Sequence, residues 1–420
     1  MPTKIVEFDA FIKTANFWYS SNGVVAYDDI YRQAGNEPNQ RSITARLATL
    51  LRQIYCFISL INLNWVLIIE ASFVVVNFME NADFLQAARN LSFMGFVVVA
   101  ILKILSNLKQ RSRLSVLMQK LYEMYPKQAA DQSPYELQRH LQHYRRIGFI
   151  YAFTHTFTVW AYNSLPMINY LFLAPLLQQT VVERVLPYSC WVPFEWRDNW
   201  LYYPLYVSQV FAGHTSLAAY LANDLLLCAA TVQLIMHFRK LARDIEAYQA
   251  GSTNATQFVN AEKAKRDLSF LSTAVYYHNH TLALCQLISE IFGMPILINF
   301  ISTSFVMCFL AFQFTVGVPL DALVVLVCYM ICSLVQIYMI CSYGQELITT
   351  SENIGNVVYN HNWLVADIRY KKLLIMIIRR AQKPAMLRAT SFVNVSMGTI
   401  TDILQLSYKF FALIRTMYAR

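Results

Sequence analysis

VPLDALVVLVCYMICSLVQIYMICSY, residues 318–343, contains a single charged side chain, Asp321, in 26 residues. A helix of about 20 apolar residues crosses the hydrocarbon core of a bilayer, which is about 30 Å thick. Six other segments are similarly apolar: residues 50–79, 84–105, 147–165, 205–236, 282–312 and 392–414. The sequence therefore predicts an all-α membrane protein with seven transmembrane helices, numbered here as spans one to seven.

The Lys and Arg residues are distributed unevenly around these spans. Of the 34, 27 lie before or at the start of span one, or between spans two and three, four and five, or six and seven. Five lie on the opposite side, and Lys103 and Lys409 lie within spans. Basic residues are retained on the cytosolic side of membranes. We therefore expect a cytosolic amino terminus and an extracellular carboxyl terminus, the reverse of a G-protein-coupled receptor.

Composition excludes several other classes. With 56% hydrophobic and 14% charged residues among 420, the chain is typical of membrane proteins. The net charge of +9 does not indicate nucleic-acid binding, because the basic residues flank cytosolic helix ends, where anionic membrane lipid is the natural partner. Cys328 and Cys332 share a helix face, but no His or carboxylate accompanies them, so no metal site is expected.

The cytosolic connections have helical patterns of their own. Apolar residues recur at helical spacing in 111–125 and 135–146, and Pro126 and Pro134 bracket a break between them. Residues 238–248 continue span four, and 258–277 lead into span five. We expect these helical extensions to form a cytosolic bundle.

The outer connection, residues 166–204, contains Trp191, Trp196 and Trp200 among prolines. Tryptophan favours the headgroup region of a membrane, so an interfacial belt is one interpretation. A lid over an outward-facing pocket is the other.

Several motifs resemble those of insect odorant receptors. They are YGQEL at 343–347 with Ser351, Tyr359 and Trp363; Leu373, Leu374 and RRAQKP at 379–384; SYKFFAL at 407–413; Leu186, Pro187, Trp191 and Pro193; and His278 with His280. Their order and spacing cover about the last 240 residues, and the inverted topology agrees with the resemblance.

The resemblance implies a ligand-gated, non-selective cation channel, built as a tetramer from an odour-specific subunit and a shared co-receptor. Seventh spans would line the pore, cytosolic helices would form an anchor bundle, and an odorant pocket would lie among spans two to six. This chain lacks the co-receptor's long insertion between spans four and five, and it ends in residues 409–420, which carry Lys409, Arg415 and Arg420, instead of the co-receptor's apolar terminal run. Both features favour a tuning receptor.

On this basis we expect four regions. Residues 1–49 form a cytosolic segment. Residues 50–236 contain spans one to four and are the ligand-pocket region. They include the cytosolic helices 106–146 and the outer loop 166–204. Residues 237–391 contain cytosolic helices, spans five and six and the anchor region. Residues 392–420 contain the pore-lining span seven and the outer carboxyl terminus.

Span seven has two neighbouring stripes. Asp402, Gln405 and Lys409 are spaced i, i+3, i+7 and share a helix face, which favours a pore lining or a polar contact with another helix. The adjacent stripe includes Tyr408 and Phe411. By the resemblance, Phe411 is a candidate gate that closes by dewetting; ordinary packing is the alternative.

Candidate ligand-binding residues share faces in the outer halves of four spans. They are Phe93, Phe96 and Val97 in span two; Phe153, Thr156 and Trp160 in span three; Val207, Phe211 and His214 in span four; and Leu326 and Tyr329 in span six. Such a lining predicts a small, volatile, largely apolar ligand, with one polar group meeting Thr156 or His214. Aromatic stripes also arise from simple packing. Glu70, Asp224 and Glu290 lie within spans, either as helix contacts or along a hydrated path.

No pattern of catalytic residues indicates an enzyme, and no cofactor is expected. The expected location is the plasma membrane, as a multi-pass protein in olfactory neuron dendrites. The expected partners are the co-receptor, a volatile odorant and membrane lipid. A metabotropic seven-helix receptor is the alternative function, opposed by the charge distribution. A secondary transporter is less favoured, because the span number is odd and no internal repeat is evident.

Overall fold

The computed structural model describes residues 5–28, 43–79, 84–173, 184–251, 261–316 and 320–418. Within these ranges the chain is helical and has no β-strand. The helices are α1 (Asp9–Ser21), α2 (Ile43–Met79), α3 (Phe84–Lys109), α4 (Arg111–Met124), α5 (Ala129–Gln132), α6 (Leu137–Ile168), α7 (Tyr202–Ala247), α8 (Ala261–Val316), α9 (Leu320–Asn360), α10 (Ile368–Ala381) and α11 (Met397–Tyr418). Parts of the predicted segment 1–49 and of the outer loop 166–204, and the start of the predicted sixth span, lie outside the described residues.

Three helices are much longer than a bilayer is thick. Helices α7, α8 and α9 have 46, 56 and 41 residues, which at 1.5 Å per residue is about 60 to 85 Å. The predicted continuation of span four and the helix leading into span five are therefore confirmed. The break at Pro126 and Pro134 is also present, with a 3₁₀ turn at Ser133–Tyr135 and α6 beginning at Leu137.

The helical extensions form the anchor bundle, which we define as α4, α5, the start of α6, the end of α7, the start of α8, the end of α9, and α10. Ion pairs join Arg239 to Glu346 at 2.7 Å and Arg243 to Glu136 at 2.8 Å, so α7 is tied to α9 and to the turn before α6. Tyr248 stacks on Phe270 with ring centroids 3.8 Å apart. These contacts hold the helix ends at fixed positions relative to one another.

Helix α7 lies at the centre of the molecule. Its most apolar stretch is buried along its whole length, and it contacts α1, α2, α3, α6, α8 and α9. The short helix α1 buries Phe11, Ile12, Ala15, Trp18 and Tyr19 and packs chiefly on α7. The amino-terminal segment therefore contributes to the core.

By length and composition, four of the described helices qualify as membrane spans, namely α2, α7, α8 and α9. A fifth qualifies if α3 and α4, which meet at a 70° bend, are counted together. Helices α6 and α11, which contain predicted spans three and seven, are long enough at 32 and 22 residues. Helix α6 contains a stretch with Thr and His residues, and α11 contains Asp402, Gln405 and Lys409.

The start of the seventh helix differs from the prediction. Helix α11 begins at Met397, not at residue 392, and Phe392 is 93% exposed. Residues 387–395 fold back as a small hairpin, in which Ala389 N–H donates to the Val393 carbonyl and Val395 N–H to the Leu387 carbonyl, both at 2.9 Å. We call this segment the pre-helix hairpin. It lies against Gly293 of α8 and Gly344 of α9.

Candidate functional site

An aromatic cluster lies where α3, α6, α7, α9 and the outer loop meet. The Phe93 ring centroid is 5.1 Å from that of Tyr162, 5.3 Å from Tyr188 and 6.1 Å from Tyr329. Phe96 stacks on Tyr220 at 4.5 Å and meets Tyr329 edge-on at 6.5 Å. We call these six residues the aromatic cluster.

The cluster contains three of the predicted ligand-site residues, Phe93, Phe96 and Tyr329. Val97 and Leu326 are buried, one residue from Phe96 and one helical turn from Tyr329. Tyr162, Tyr188 and Tyr220 were not predicted. Tyr162 and Tyr220 do not share the stripes of Trp160 and His214, and Tyr188 belongs to the irregular outer loop. Their only sequence signal is an aromatic residue in or beside a span.

A second group surrounds His214. Its ring centroid lies 5.9 Å from Trp160 and 6.4 Å from Trp18 of α1. The buried His214 Nδ1 has no hydrogen-bond partner among the described residues. At the preceding residue, Gly213, an added Cβ would lie 3.2 Å from the Tyr188 hydroxyl. The Tyr188 hydroxyl, which belongs to the aromatic cluster, therefore lies close to the backbone beside His214.

Other predicted ligand-site residues point elsewhere. Phe153 is 58% exposed and stacks with Phe149 and Phe157, which follow its own face of α6. Val207 is 64% exposed. Phe211 lies 6.0 Å from Tyr55 of α2, and Thr156 is half-buried. The structure does not bring Phe153 or Val207 into the aromatic cluster.

The two stripes of the seventh helix face away from the rest of the chain. Ile403 and Ser407 of α11 are buried, and Phe410 stacks on Phe305 of α8 with centroids 5.0 Å apart. The polar residues Asp402, Gln405 and Lys409 are exposed, as is Tyr408, while Phe411 is half-buried and 6.2 Å from the Tyr408 ring. A single chain thus leaves one polar and aromatic face of α11 uncovered.

Three acidic residues of the predicted spans, Glu70, Asp224 and Glu290, have different environments. Asp224 pairs with Lys103 at 2.8 Å. Glu290 is half-exposed and lies 4.0 Å from Arg113. Glu70 is 1% exposed, and neither of its carboxylate oxygens has a hydrogen-bond partner in the described part of the chain. Burial, followed by the charge of Glu70, raises the pKa of the nearby Cys190 thiol in the outer loop to about 12.

Known proteins resemble this chain in sequence and in fold. A family model described as 7tm Odorant receptor matches residues 83–408. Putative odorant receptor 85d of Drosophila melanogaster is 42% identical, covering 99% of this chain and 96% of that protein. Odorant receptor 85b of Drosophila melanogaster is 37% identical, covering 97% and 99%. Among solved structures, the insect olfactory receptor OR5 from Machilis hrabei in complex with eugenol has a TM-score of 0.75 at 15% identity, covering 97% of this chain and 100% of that one.

The chain therefore belongs to the odorant receptor family of insect seven-transmembrane proteins. Within it, the chain resembles tuning receptors such as odorant receptors 85d and 85b, not the co-receptor. It is a multi-pass membrane receptor and not an enzyme. The likeness to OR5, at 15% identity, establishes the fold.

Proposed function

We propose that this chain is the odorant-binding subunit of an odorant-gated, non-selective cation channel. It works with the co-receptor in a tetramer, in the plasma membrane of olfactory neuron dendrites. The observation that carries the proposal is the aromatic cluster between spans two, three, four and six, closed on its outer side by Tyr188. The pocket lies within residues 50–236 together with α9, the anchor region within 237–391, and the pore within 392–420.

The chemistry of the cluster supports a small, volatile and largely apolar ligand. Six aromatic rings offer dispersion and π contacts, and none of them carries a charge. Beside them, His214 Nδ1, which has no hydrogen-bond partner among the described residues, can meet one polar group of the ligand. The presence of eugenol in the OR5 structure supports a small organic ligand in this fold.

The exposed stripes of α11 support a pore formed between subunits. Polar side chains on a membrane helix are costly unless they meet water or a partner. Asp402, Gln405 and Lys409 are exposed on α11. We propose that they face the conduction path and that Phe411 and Tyr408 narrow its outer part.

The orientation rests on the 27-to-5 division of basic residues. We propose that the amino terminus is cytosolic. A tag before residue 1 should be labelled only in permeabilised cells, whereas a tag after residue 420 should be labelled in intact cells. The reverse pattern would overturn both the orientation and the channel proposal.

The central experiment is current recording from cells expressing this chain with and without the co-receptor, without added nucleotide. An odorant should evoke current in the presence of the co-receptor. Phe96→Ala should weaken the apparent affinity by about 5- to 150-fold, because about 1 to 3 kcal/mol of aromatic contact is lost. Phe153→Ala is the matched control, since it removes a ring that lies outside the aromatic cluster. Equal effects of the two variants would place the pocket elsewhere.

The seventh helix is tested separately. Asp402→Lys should lower conductance or divalent permeability, and Phe411→Ser should raise current without odorant. Both variants should keep the wild-type order of preference among odorants. Wild-type conductance and basal current in both, with normal surface expression, would assign conduction to the partner subunits.

A further inference from the structure

A buried ion pair lies in the middle of the helix bundle. Lys103 Nζ of α3 is 2.8 Å and 2.9 Å from the two carboxylate oxygens of Asp224 of α7. The two side chains are 1% and 2% exposed. Charged groups at such positions are expensive to desolvate, and replacing a buried pair by apolar residues is often neutral or stabilising. Helix stability alone therefore does not require this pair.

The Asp224 carboxylate collects contacts from other helices. The Tyr151 hydroxyl of α6 donates to Oδ2 at 2.8 Å, and Gln336 Nε2 of α9 donates to the same oxygen at 2.7 Å. Gln336 Nε2 also donates to Asn299 Oδ1 of α8 at 3.3 Å. All three side chains are buried. Four helices, α3, α6, α7 and α9, thus meet at one carboxylate, and α8 is joined to them through Gln336.

The same pair touches the base of the aromatic cluster. Lys103 Nζ lies 4.0 Å from the centroid of the Tyr220 ring. Phe96 stacks on that ring at 4.5 Å with an interplanar angle of 20°. Phe96 and Lys103 are seven residues apart on α3, which is two helical turns on one face, and both contact the Tyr220 ring. A ligand that moves Phe96 therefore acts on the Tyr220 ring, which also makes a cation–π contact with Lys103.

Beyond Gln336, helix α9 contacts the segment that leads into the seventh helix. Two turns further on, Gly344 lies against the Val395 carbonyl of the pre-helix hairpin, which leads directly into α11. Helices α9 and α11 also contact each other. A change in the hydrogen bond between Asp224 and Gln336 therefore acts on α9, and α9 contacts the hairpin at the start of the proposed pore lining.

We propose that Lys103 and Asp224 form a coupling element within the membrane. The pair transmits occupancy of the aromatic cluster, through Tyr220 on one side and Gln336 on the other, to α9 and the seventh helix. Both are positioning residues that contact no ion and no odorant. The inference rests on the proposed function and adds to it the route by which binding reaches the pore.

The test uses two variants of the full chain expressed with the co-receptor. Lys103→Met/Asp224→Asn removes both charges and keeps an amide oxygen that accepts from Tyr151 and Gln336. Gln336→Leu leaves the ion pair and the aromatic cluster intact and removes the hydrogen bonds of Gln336 to Asp224 and Asn299, and with them the link to α9. The matched control is Arg111→Met/Asp28→Asn, which removes a part-exposed ion pair of 2.6 Å that contacts neither the cluster nor α9.

Both test variants should reach the surface and respond to the same odorants as wild type. Their current at saturating odorant, per surface receptor, should fall about fivefold or more, in the range of allosteric coupling factors. The control should match wild type. Should the charge-free variant fail to fold, Gln336→Leu decides alone.

One negative result rejects the coupling role of the ion pair, and a different one rejects the proposed function. If wild type responds and every test variant at the surface gives wild-type current at saturating odorant, the pair is structural only and this inference is wrong. If wild type gives no odorant-evoked current, the proposed function itself fails, and the inference falls with it.

Discussion

Gly344→Ala should destabilise the protein at the contact between α9 and the pre-helix hairpin. A Cβ atom at position 344 would lie 2.9 Å from Val395 Cγ1 and nearer still to the Val395 carbonyl oxygen. The methyl group cannot be accommodated by rotating one flexible side chain, because the backbone of the hairpin is the obstacle. The hairpin must therefore shift, and with it the start of α11.

The magnitude is the difference between two opposing effects. Overpacking a close contact costs about 1 to 3 kcal/mol. Replacing glycine by alanine inside a helix gains up to about 1 kcal/mol. Gly95→Ala in α3 isolates the second effect, because its Cβ would meet only Ser302 Oγ, at an ordinary 3.5 Å. We expect the two variants to differ by about 1 to 3 kcal/mol, with Gly344→Ala below wild type and Gly95→Ala at or above it.

The measurement is the thermal unfolding of detergent-solubilised receptor, followed by the loss of the folded peak in size-exclusion chromatography. Wild type and both alanine variants are prepared in parallel. If Gly344→Ala is as stable as Gly95→Ala, the close approach of the hairpin to α9 is not a feature of the folded protein, and its role in positioning α11 must be abandoned.

Two further predictions concern buried titratable groups. Burial, and then the Arg239 guanidinium, lower the pKa of His140 in the anchor bundle to about 4. In the unfolded chain His140 has an ordinary pKa of about 6.5, so it takes up a proton at a higher pH than in the folded chain. The free energy of unfolding should therefore fall as the pH drops from about 6.5 to 4, and His140→Gln should reduce that loss. Glu70→Leu should raise the unfolding temperature, because an unpartnered buried polar group costs about 1 to 3 kcal/mol, whereas Glu290→Leu at a half-exposed site should change little. A lower unfolding temperature for Glu70→Leu would show that the carboxyl group has a stabilising partner.

Much of the helical framework follows from the sequence by simple physics. Apolar runs of about 20 residues locate the spans, and helical periodicity with Pro126 and Pro134 locates α4 and α6. The start of the seventh helix does not follow. With three apolar side chains in four, residues 392–395 resemble the rest of the span in sequence. In the structure they belong to the hairpin, which contacts Gly293 through residues 388–389 and Gly344 through Val395, about 50 to 100 residues away.

The candidate site was predicted less completely, for a reason specific to membranes. Periodicity shows which residues share a helix face, but lipid and protein interior are both apolar, so it does not show which face points inward. Phe153 and Phe96 are therefore equivalent in sequence, although one is exposed and the other stacks on Tyr220. Likewise, Lys103 and Asp224 are visible as charges within spans, but their pairing across 121 residues is not.

The complete burial of the most apolar stretch of α7 has a consequence for how such receptors diversify. A helix enclosed by six neighbours tolerates few changes of side-chain volume, because each one disturbs packing in several directions. New odour preferences are therefore expected to arise by substitution on α3, α6 and α9 and in the outer loop, each of which presents one face to the aromatic cluster and another to lipid or solvent. Among closely related receptors, the central helix should change slowest in residue size even where the odorants they detect have diverged.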